Sequence, residues 1–358
     1  MEFHVVIPVL ISFAISLVLG PIVIPFLRRL KMGQTERELG VQSHLKKNGT
    51  PTMGGVIFLI ATTVTSLFYI RDYPMIIPVL FLTLGFGLIG FLDDYLKVVL
   101  KRSDGLLPWQ KMALQIVVTA VFAFYLVNYS NVSLTMKIPF WSGHYLNLGW
   151  FAVPVLFFAV IGTVNGVNFT DGLDGLASSV TLIVAVFFTV VSLGMNSGVE
   201  PITCAVVGSL MGFLLFNVYP AKIFMGDTGS LALGGFVAGA AYMMQMPLYI
   251  IIVGFIYLVE VISVILQVTY FKKTGGTIPN IRPGQDTANY LTKEIRKTIT
   301  IGAVALSLIA LVPCVLSGLF NISKLSFAGT SIIIIVGVIV ETLDRLNAEV
   351  KANKMKLI

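Results

Sequence analysis

The chain has 358 residues and a formal charge of +7, with 56% hydrophobic and only 11% charged residues and a mean hydropathy of +0.92. That balance excludes a soluble globular domain and defines a polytopic membrane protein. A basic excess in such a chain is a topology signal, so it is not read as nucleic-acid binding.

A spanning helix needs about 20 mostly apolar residues. Such windows fall near 5–27, 54–70, 75–92, 110–127, 149–167, 175–193, 201–219, 230–246, 247–271, 298–318 and 328–343. The sequence therefore predicts an all-α fold of about eleven transmembrane helices. The first window has no basic region before it and no small-residue cleavage site after it, since "RRLK" follows directly. It reads as a retained anchor.

Cytoplasmic loops keep an excess of Lys and Arg. With the N-terminus outside, all of the 24 basic residues except Arg71, Lys137 and Lys324 fall inside. Cys204 and Cys314 each lie within an expected helix, and His4, His44 and His144 are scattered. Neither a disulfide frame nor a zinc site is indicated.

Acids placed at membrane level are functional candidates by default. In chain order, "GFLDDYLK" ends the third window with Asp93 and Asp94, "NFTDGLDG" ends the fifth with Asp171 and Asp174, and "KIFMGDTGS" follows the seventh with Asp227. All face the cytoplasm on this topology. Carboxylates arriving from separate helix ends at one membrane face suit a magnesium site that handles phosphates, because Mg²⁺ uses one or two carboxylates plus phosphate oxygens. Plainer readings exist for each. Asp93 and Asp94 can cap a short helix, and Asp174 and Asp227 can be turn residues beside glycines. The conjunction favours the site, since "GDTGS" sets an acid between glycines at a helix start, where amides are available to an anion.

Opposite charge comes from Lys47 in "HLKKNGTPTMGG" and from Lys97, four residues after Asp93 and so on the same helical face. Either lysine can also be an ordinary positive-inside residue. Phe224 can stack a base or simply pack. Asn165, Asn168 and Asn217 can donate to ribose or phosphate oxygens, or cap helices. Glu260, near the middle of the ninth window, is expected to line a lipid-substrate groove or brace the site helices, against a purely structural protonated role.

Together "GTPTMGG", "FLDDYLK", "NGVNFTDGLDGLA", "FNVYPAKIFMGDTGSLALG" and "LVEVISVILQVTYFKKTGG" closely resemble the phospho-N-acetylmuramoyl-pentapeptide transferases, the MraY family of bacterial polyprenyl-phosphate N-acetylhexosamine-1-phosphate transferases. The resemblance runs through residues 1–276. It implies transfer of phospho-MurNAc-pentapeptide from UDP-MurNAc-pentapeptide to undecaprenyl phosphate at the inner face of the bacterial cytoplasmic membrane. UMP leaves, lipid I forms, and Mg²⁺ is required. Carried over by position, the family's paired acids fall on Asp93 and Asp94, its metal-binding acid on Asp227, and its uridine and phosphate site on Lys47, Asn168, Asp171, Asp174, Asn217 and Phe224. A homodimer is implied as well. Two alternatives stand beside it: a GlcNAc-1-phosphate transferase of the same superfamily, although "PTMGG" and "NFTDGLDG" match the first group better, and a catalytically impaired hybrid or non-catalytic membrane scaffold, which only residues 277–358 support.

After Gly276 the pattern changes. The family continues into a loop with consecutive histidines that contributes to the active site, and no such run occurs here. Instead "GGTIPNIRPGQDTANYL" and "FAGTSIIIIVGVIVETLDRLNAEV" resemble the C-terminal part of the SecY family of protein-translocating channels. The domain reading is therefore a transferase region, 1–276, joined at "KKTGG" to a SecY-like loop and two helices, 277–358.

Overall fold

The computed structural model describes residues 3–29, 50–100, 105–130, 132–141 and 143–274. The expected windows at 298–318 and 328–343, the SecY-like segment and Lys47 lie outside those residues. The chain divides into two compact units, Met1–Val261 and Ile262–Ile358, and the first holds nearly everything described.

The protein is a helical membrane bundle. Its helices are α1 (Phe3–Arg29), α2 (Gly55–Tyr69), α3 (Ile76–Val98), α4 (Pro108–Asn128), α5 (Ala152–Thr170), α6 (Leu176–Met195), α7 (Glu200–Asn217), α8 (Gly226–Met243), α9 (Pro247–Val253) and α10 (Phe255–Thr274). Between α4 and α5 a two-stranded antiparallel hairpin, β1 (Met136–Lys137) and β2 (Tyr145–Leu146), leads into a short 3₁₀ turn at Gly149–Phe151. Among the described residues six helices are long and apolar enough to cross a membrane, or seven if α9 and α10 form one bent span. Each expected window up to residue 271 contains a helix, and one expectation needs correction. The continuous helix over 247–271 is broken at Gly254, where α9 and α10 bend by 74°. Gly254 leaves room for the Tyr257 ring, and a Cβ there would come within 2.8 Å of it. The Tyr257 hydroxyl then bonds Thr181 Oγ1 of α6 at 2.8 Å, which fixes the new direction.

Without a hydrophobic driving force between spans, helices associate where small residues let backbones approach. α8 follows this rule. Its sequence, "GDTGSLALGGFVAGAAYM", is buried from Thr228 to Met243. A Cβ on Gly229 would press on Gly55 of α2, one on Gly234 on Val164 of α5, and one on Gly235 on the Leu82 carbonyl of α3. The glycine-rich centre thus gathers three helices around one axis. A second seam joins α1 to α7, where Gly208 and Gly212 face Ser12 and Ser16, and Ser16 Oγ donates to the Ser209 carbonyl at 2.9 Å. Large apolar side chains point outward instead, as Leu10, Val18 and Phe26 of α1 and Val117, Val121 and Phe124 of α4 do. They face lipid.

Candidate active site at one end of the bundle

The end of the bundle where α3 and α5 finish and α4 and α8 begin carries the charged residues. α3 runs on to Val98, so Asp93, Asp94 and Lys97 sit on its last turns and not beyond it. α8 begins at Gly226, four residues before the expected start, which puts Asp227 in its first turn. Gly90 makes this junction possible: a Cβ there would overlap the Asp227 carbonyl.

Asp94 is 4% exposed and holds the start of α8. Its Oδ1 accepts the Asp227 amide at 3.2 Å, and its Oδ2 accepts the Thr228 amide at 2.9 Å and the Thr228 hydroxyl at 2.6 Å. A carboxylate at a helix N-terminus satisfies otherwise unpaired amides and meets the positive end of the helix dipole. The amides that "GDTGS" seemed to offer to an anion are therefore taken by Asp94. Gly226, at φ +73°, turns the chain into this cap, with Thr52 Oγ1 and the Met53 amide closing around it.

Asp93, 2% exposed, accepts the Leu106 amide on Oδ1 at 2.7 Å and Lys97 Nζ on Oδ2 at 2.8 Å. Asp227, 19% exposed at its side chain, is the meeting point. Its Oδ2 accepts both Lys97 Nζ and Lys111 Nζ at 3.0 Å, and its Oδ1 accepts Asn168 Nδ2 at 2.8 Å. Lys111 also lies 3.6 Å from Asp93. Two carboxylates and two ammonium groups from α3, α4 and α8 thus form one lattice, and α5 joins it through Asn168, which also reaches Ser230 Oγ at 2.8 Å. Burial acts to raise the Asp227 carboxyl, yet the Asp93 side chain, both lysines and Asn168 outweigh it and hold Asp227 well below the usual carboxylate range.

Asp171 follows α5 and differs from the others. No side-chain donor among the described residues reaches it. Burial, then the negative charges of Asp227, Asp94 and Asp174, push its carboxyl well above the usual range. Asp174 Oδ2 accepts the Ala221 amide at 3.1 Å. Asn217, 2% exposed, is tied at both ends of its amide, accepting Ser178 Oγ at 2.7 Å and donating to the Ile223 carbonyl at 3.0 Å. These two residues latch the loop that carries Phe224. That loop is also paired with the "PTMGG" segment, through Phe224 N to the Pro51 carbonyl at 2.8 Å and Gly54 N to the Phe224 carbonyl at 2.8 Å. Asn165 exchanges amide bonds with Gln115 of α4 and stays within the bundle. Glu260 stands apart, half-buried on α10, with no hydrogen-bond partner among the described residues.

Sequence reasoning counted Lys111 only as a topology lysine and gave Thr228 no role. One signal for Lys111 was readable: a lysine in the first turn of an apolar helix opposes the helix dipole, so it needs an acid nearby.

Acids, lysines and asparagines gather at one end of this membrane helix bundle, and the profile of Glycosyl transferase family 4 matches residues 76–245, which sets the chain in the class of transferases. Residues 47–59 match Phospho-N-acetylmuramoyl-pentapeptide-transferase signature 1. A phospho-N-acetylmuramoyl-pentapeptide-transferase of Acetivibrio thermocellus is 52% identical over 277 residues, which is 76% of this chain and 83% of that one. Proteins of the same name from Clostridium botulinum strain Alaska E43 (51% over 280 residues, 76% and 84%) and Clostridium novyi strain NT (47% over 278 residues, 77% and 85%) are similar. The chain belongs to the phospho-N-acetylmuramoyl-pentapeptide transferase family.

Proposed function

We propose that the chain transfers phospho-MurNAc-pentapeptide from UDP-MurNAc-pentapeptide to undecaprenyl phosphate, giving lipid I and UMP, with its site on the cytoplasmic face of a bacterial inner membrane. The observation that carries this reading is the lattice of Asp93, Asp227, Lys97 and Lys111 where four helix ends meet. Two anionic substrates must meet there, and both ammonium groups are held in place before either arrives.

The donor set fits Mg²⁺. Asp171 is a carboxyl without a donor among the described residues, pressed by three neighbouring acids, which a bound divalent cation would relieve. No three acidic, histidine or cysteine side chains among the described residues come together as a cage. That suits an ion bound through one or two carboxylates and substrate phosphates. Asp171 and Asp227 would hold it, and when bound it neutralises charge on the diphosphate and its UMP leaving group.

The remaining roles follow from contacts. Lys97 and Lys111 steer phosphate oxygens. Asp93 is the member of the acid pair that meets both lysines, so its Oδ2 is placed to take a proton from a lipid phosphate held by them. Asp94, committed to the α8 cap, is a positioning residue. Asn168, Asp174, Asn217 and Phe224 form the nucleotide side, and the family resemblance assigns Lys47 a role there too; Asn217 acts by fixing the loop of Phe224, since its own amide is spent. Glu260 borders the lipid substrate where α10 departs from α9. Residues 1–276 carry this activity as a homodimer, and 277–358 is an appended SecY-like segment.

The test is Mg²⁺-dependent UMP release by the detergent-purified chain, given UDP-MurNAc-pentapeptide and undecaprenyl phosphate, beside Asp227→Asn. Release that needs both Mg²⁺ and Asp227 is expected. Equal release with Asp227→Asn overturns the site, and preference for UDP-GlcNAc moves the chain to the GlcNAc-1-phosphate group.

A further inference from the structure

The end of the bundle opposite the lysine lattice carries a surface with a different chemistry. α4 leaves the lattice at Lys111 and finishes at Asn128, and from there to the start of α5 the chain forms the hairpin and the 3₁₀ turn. This stretch is "YSNVSLTMKIPFWSGHYLNLGWF", with no acid in it. Its foot is fixed. Met136 is 1% exposed, the Lys137 amide donates to the Gln245 carbonyl at 2.8 Å, and Gln245 Nε2 donates to the Ser133 carbonyl at 3.0 Å and to Thr135 Oγ1 at 3.1 Å.

Its tip packs on itself and stays largely exposed: Trp141 lies against His144 with ring centroids 4.4 Å apart, and Trp150 stacks on Phe151 at 3.8 Å. Phe140 is 85% exposed, Trp141 60% and Trp150 76%, with Tyr145 and Phe151 also exposed. Burying such rings is worth a few kcal/mol each, so leaving them open on a rigid foot is costly unless something outside the chain covers them. Trp and Tyr are amphipathic and favour the boundary between hydrocarbon and water, and lysine extends its ammonium from that depth to a lipid phosphate. Lys137 fits this use. Its ammonium touches Met195 Sδ at 3.1 Å and pairs with no acid among the described residues.

The surface also runs on into the lipid-facing sides of both flanking helices. Tyr129 at the foot of α4 packs edge-on against Phe124, ring centroids 5.8 Å apart, and Phe124 is itself exposed on the helix side. Phe151 is followed seven residues later, on the same side, by Phe158, which is 84% exposed. Between α4 and α5 at this end an apolar cleft of about 270 Å³, lined by Ala120, Phe124, Val127 and Phe157, opens to the outside. Its walls suit an acyl chain.

We propose that the 136–151 hairpin and turn form an interfacial anchor seated in the headgroup zone of the outer leaflet, with Phe140, Trp141 and Trp150 at the hydrocarbon boundary and Lys137 on a phospholipid phosphate. The anchor's boundary position is independent of the catalytic reading, because none of its residues reaches the lattice; its assignment to the outer leaflet rests on the cytoplasmic orientation proposed for that site.

The chain holds three tryptophans, Trp109, Trp141 and Trp150. The full chain carrying Trp109→Phe and Trp150→Phe retains Trp141 alone, and can be placed in phosphatidylcholine and phosphatidylglycerol bilayers whose acyl chains are brominated either near the headgroup or near the chain end. Trp141 emission should fall by about twofold or more with the shallow bromines and clearly less with the deep ones, as a boundary position requires. The reciprocal variant, Trp109→Phe with Trp141→Phe, reads Trp150 in the same way and serves if the first does not fold. Emission unaffected by either bromine position but quenched by aqueous acrylamide would mean that the hairpin stands in water, and would overturn the anchor. Emission shielded from both quenchers would mean that protein covers it, whether a second copy or another partner, and would overturn it too.

Discussion

The two ends of the bundle are built from opposite materials. At one end Asp93, Asp94, Asp227, Lys97, Lys111 and Asn168 leave four helices and bond one another and the backbone beside them. At the other end a hairpin is pinned at its foot by backbone and one glutamine, and leaves its aromatic rings uncovered. In the first case the partners are inside the chain; in the second the structure leaves them to the surroundings. The difference separates residues that a reaction needs from residues that a membrane needs, and substitutions at the two ends should report it.

The largest effects belong to the lattice. Asp93→Asn keeps the shape but removes the proton acceptor and one of the two negative partners of Lys97, and should lower kcat by about 10²–10⁴-fold with the fold intact. Lys111→Met should cost somewhat less, about 10²–10³-fold, mostly as a higher barrier in the chemical step. UMP release under saturating substrates measures both. Wild-type kcat in either variant would mean that the lattice is only structural, and the contrast between the ends would fail.

Next come changes that disturb how the lattice is held. Gly90→Ala forces a methyl into the Asp227 carbonyl, so α3 and α8 must separate. Overpacking of this kind costs about 1–3 kcal/mol, and it should lower the melting temperature in detergent and activity together. Thr228→Val deletes the 2.6 Å bond to Asp94 while keeping the side-chain volume. A hydrogen bond to a charged group is worth about 1.5–3 kcal/mol. Its melting temperature should drop while Mg²⁺ still protects, because the carboxylates at the surface of the site are unchanged. Thermal unfolding with and without Mg²⁺ decides it, and an unshifted transition would show that the Thr228 hydroxyl adds nothing to the two amide bonds by which Asp94 caps α8.

Much of this was legible in the residues. Long apolar windows gave the helices because spans must satisfy their own backbone in lipid, which leaves little else for such windows to be. The acids stood out because carboxylates at membrane level need a reason. Three features were hidden for physical causes. The break at Gly254 lies within an uninterrupted apolar run, where the decisive contacts, Tyr257 over the glycine and onto Thr181, are tertiary. The start of α8 at Gly226 depends on a cap supplied by Asp94, 132 residues earlier in the chain, which no local window contains. Lys111 looked like any other basic residue beside a membrane, since its meaning comes from Asp227 on another helix.

The smallest effect should come from the far end. Gln245→Ala removes two side-chain bonds to the hairpin foot, to the Ser133 carbonyl and to Thr135 Oγ1. The backbone bond from Lys137 to the Gln245 carbonyl stays, so the strand is not released outright. Two neutral, solvent-accessible bonds are worth about 1 kcal/mol each at most, and water replaces part of that when they are lost. Gln245 itself adopts φ +58°, a region that favours glycine and costs alanine as much as glutamine, so the substitution removes contacts without relieving backbone strain. The melting temperature should fall by a few degrees at most, and kcat should stay at the wild-type value, because α8 and α9 are joined here at the end away from Lys111 and Asp227. A loss of activity larger than the loss of stability would mean that the hairpin foot and the lysine lattice are coupled along α8, and that the two ends are not separate in function.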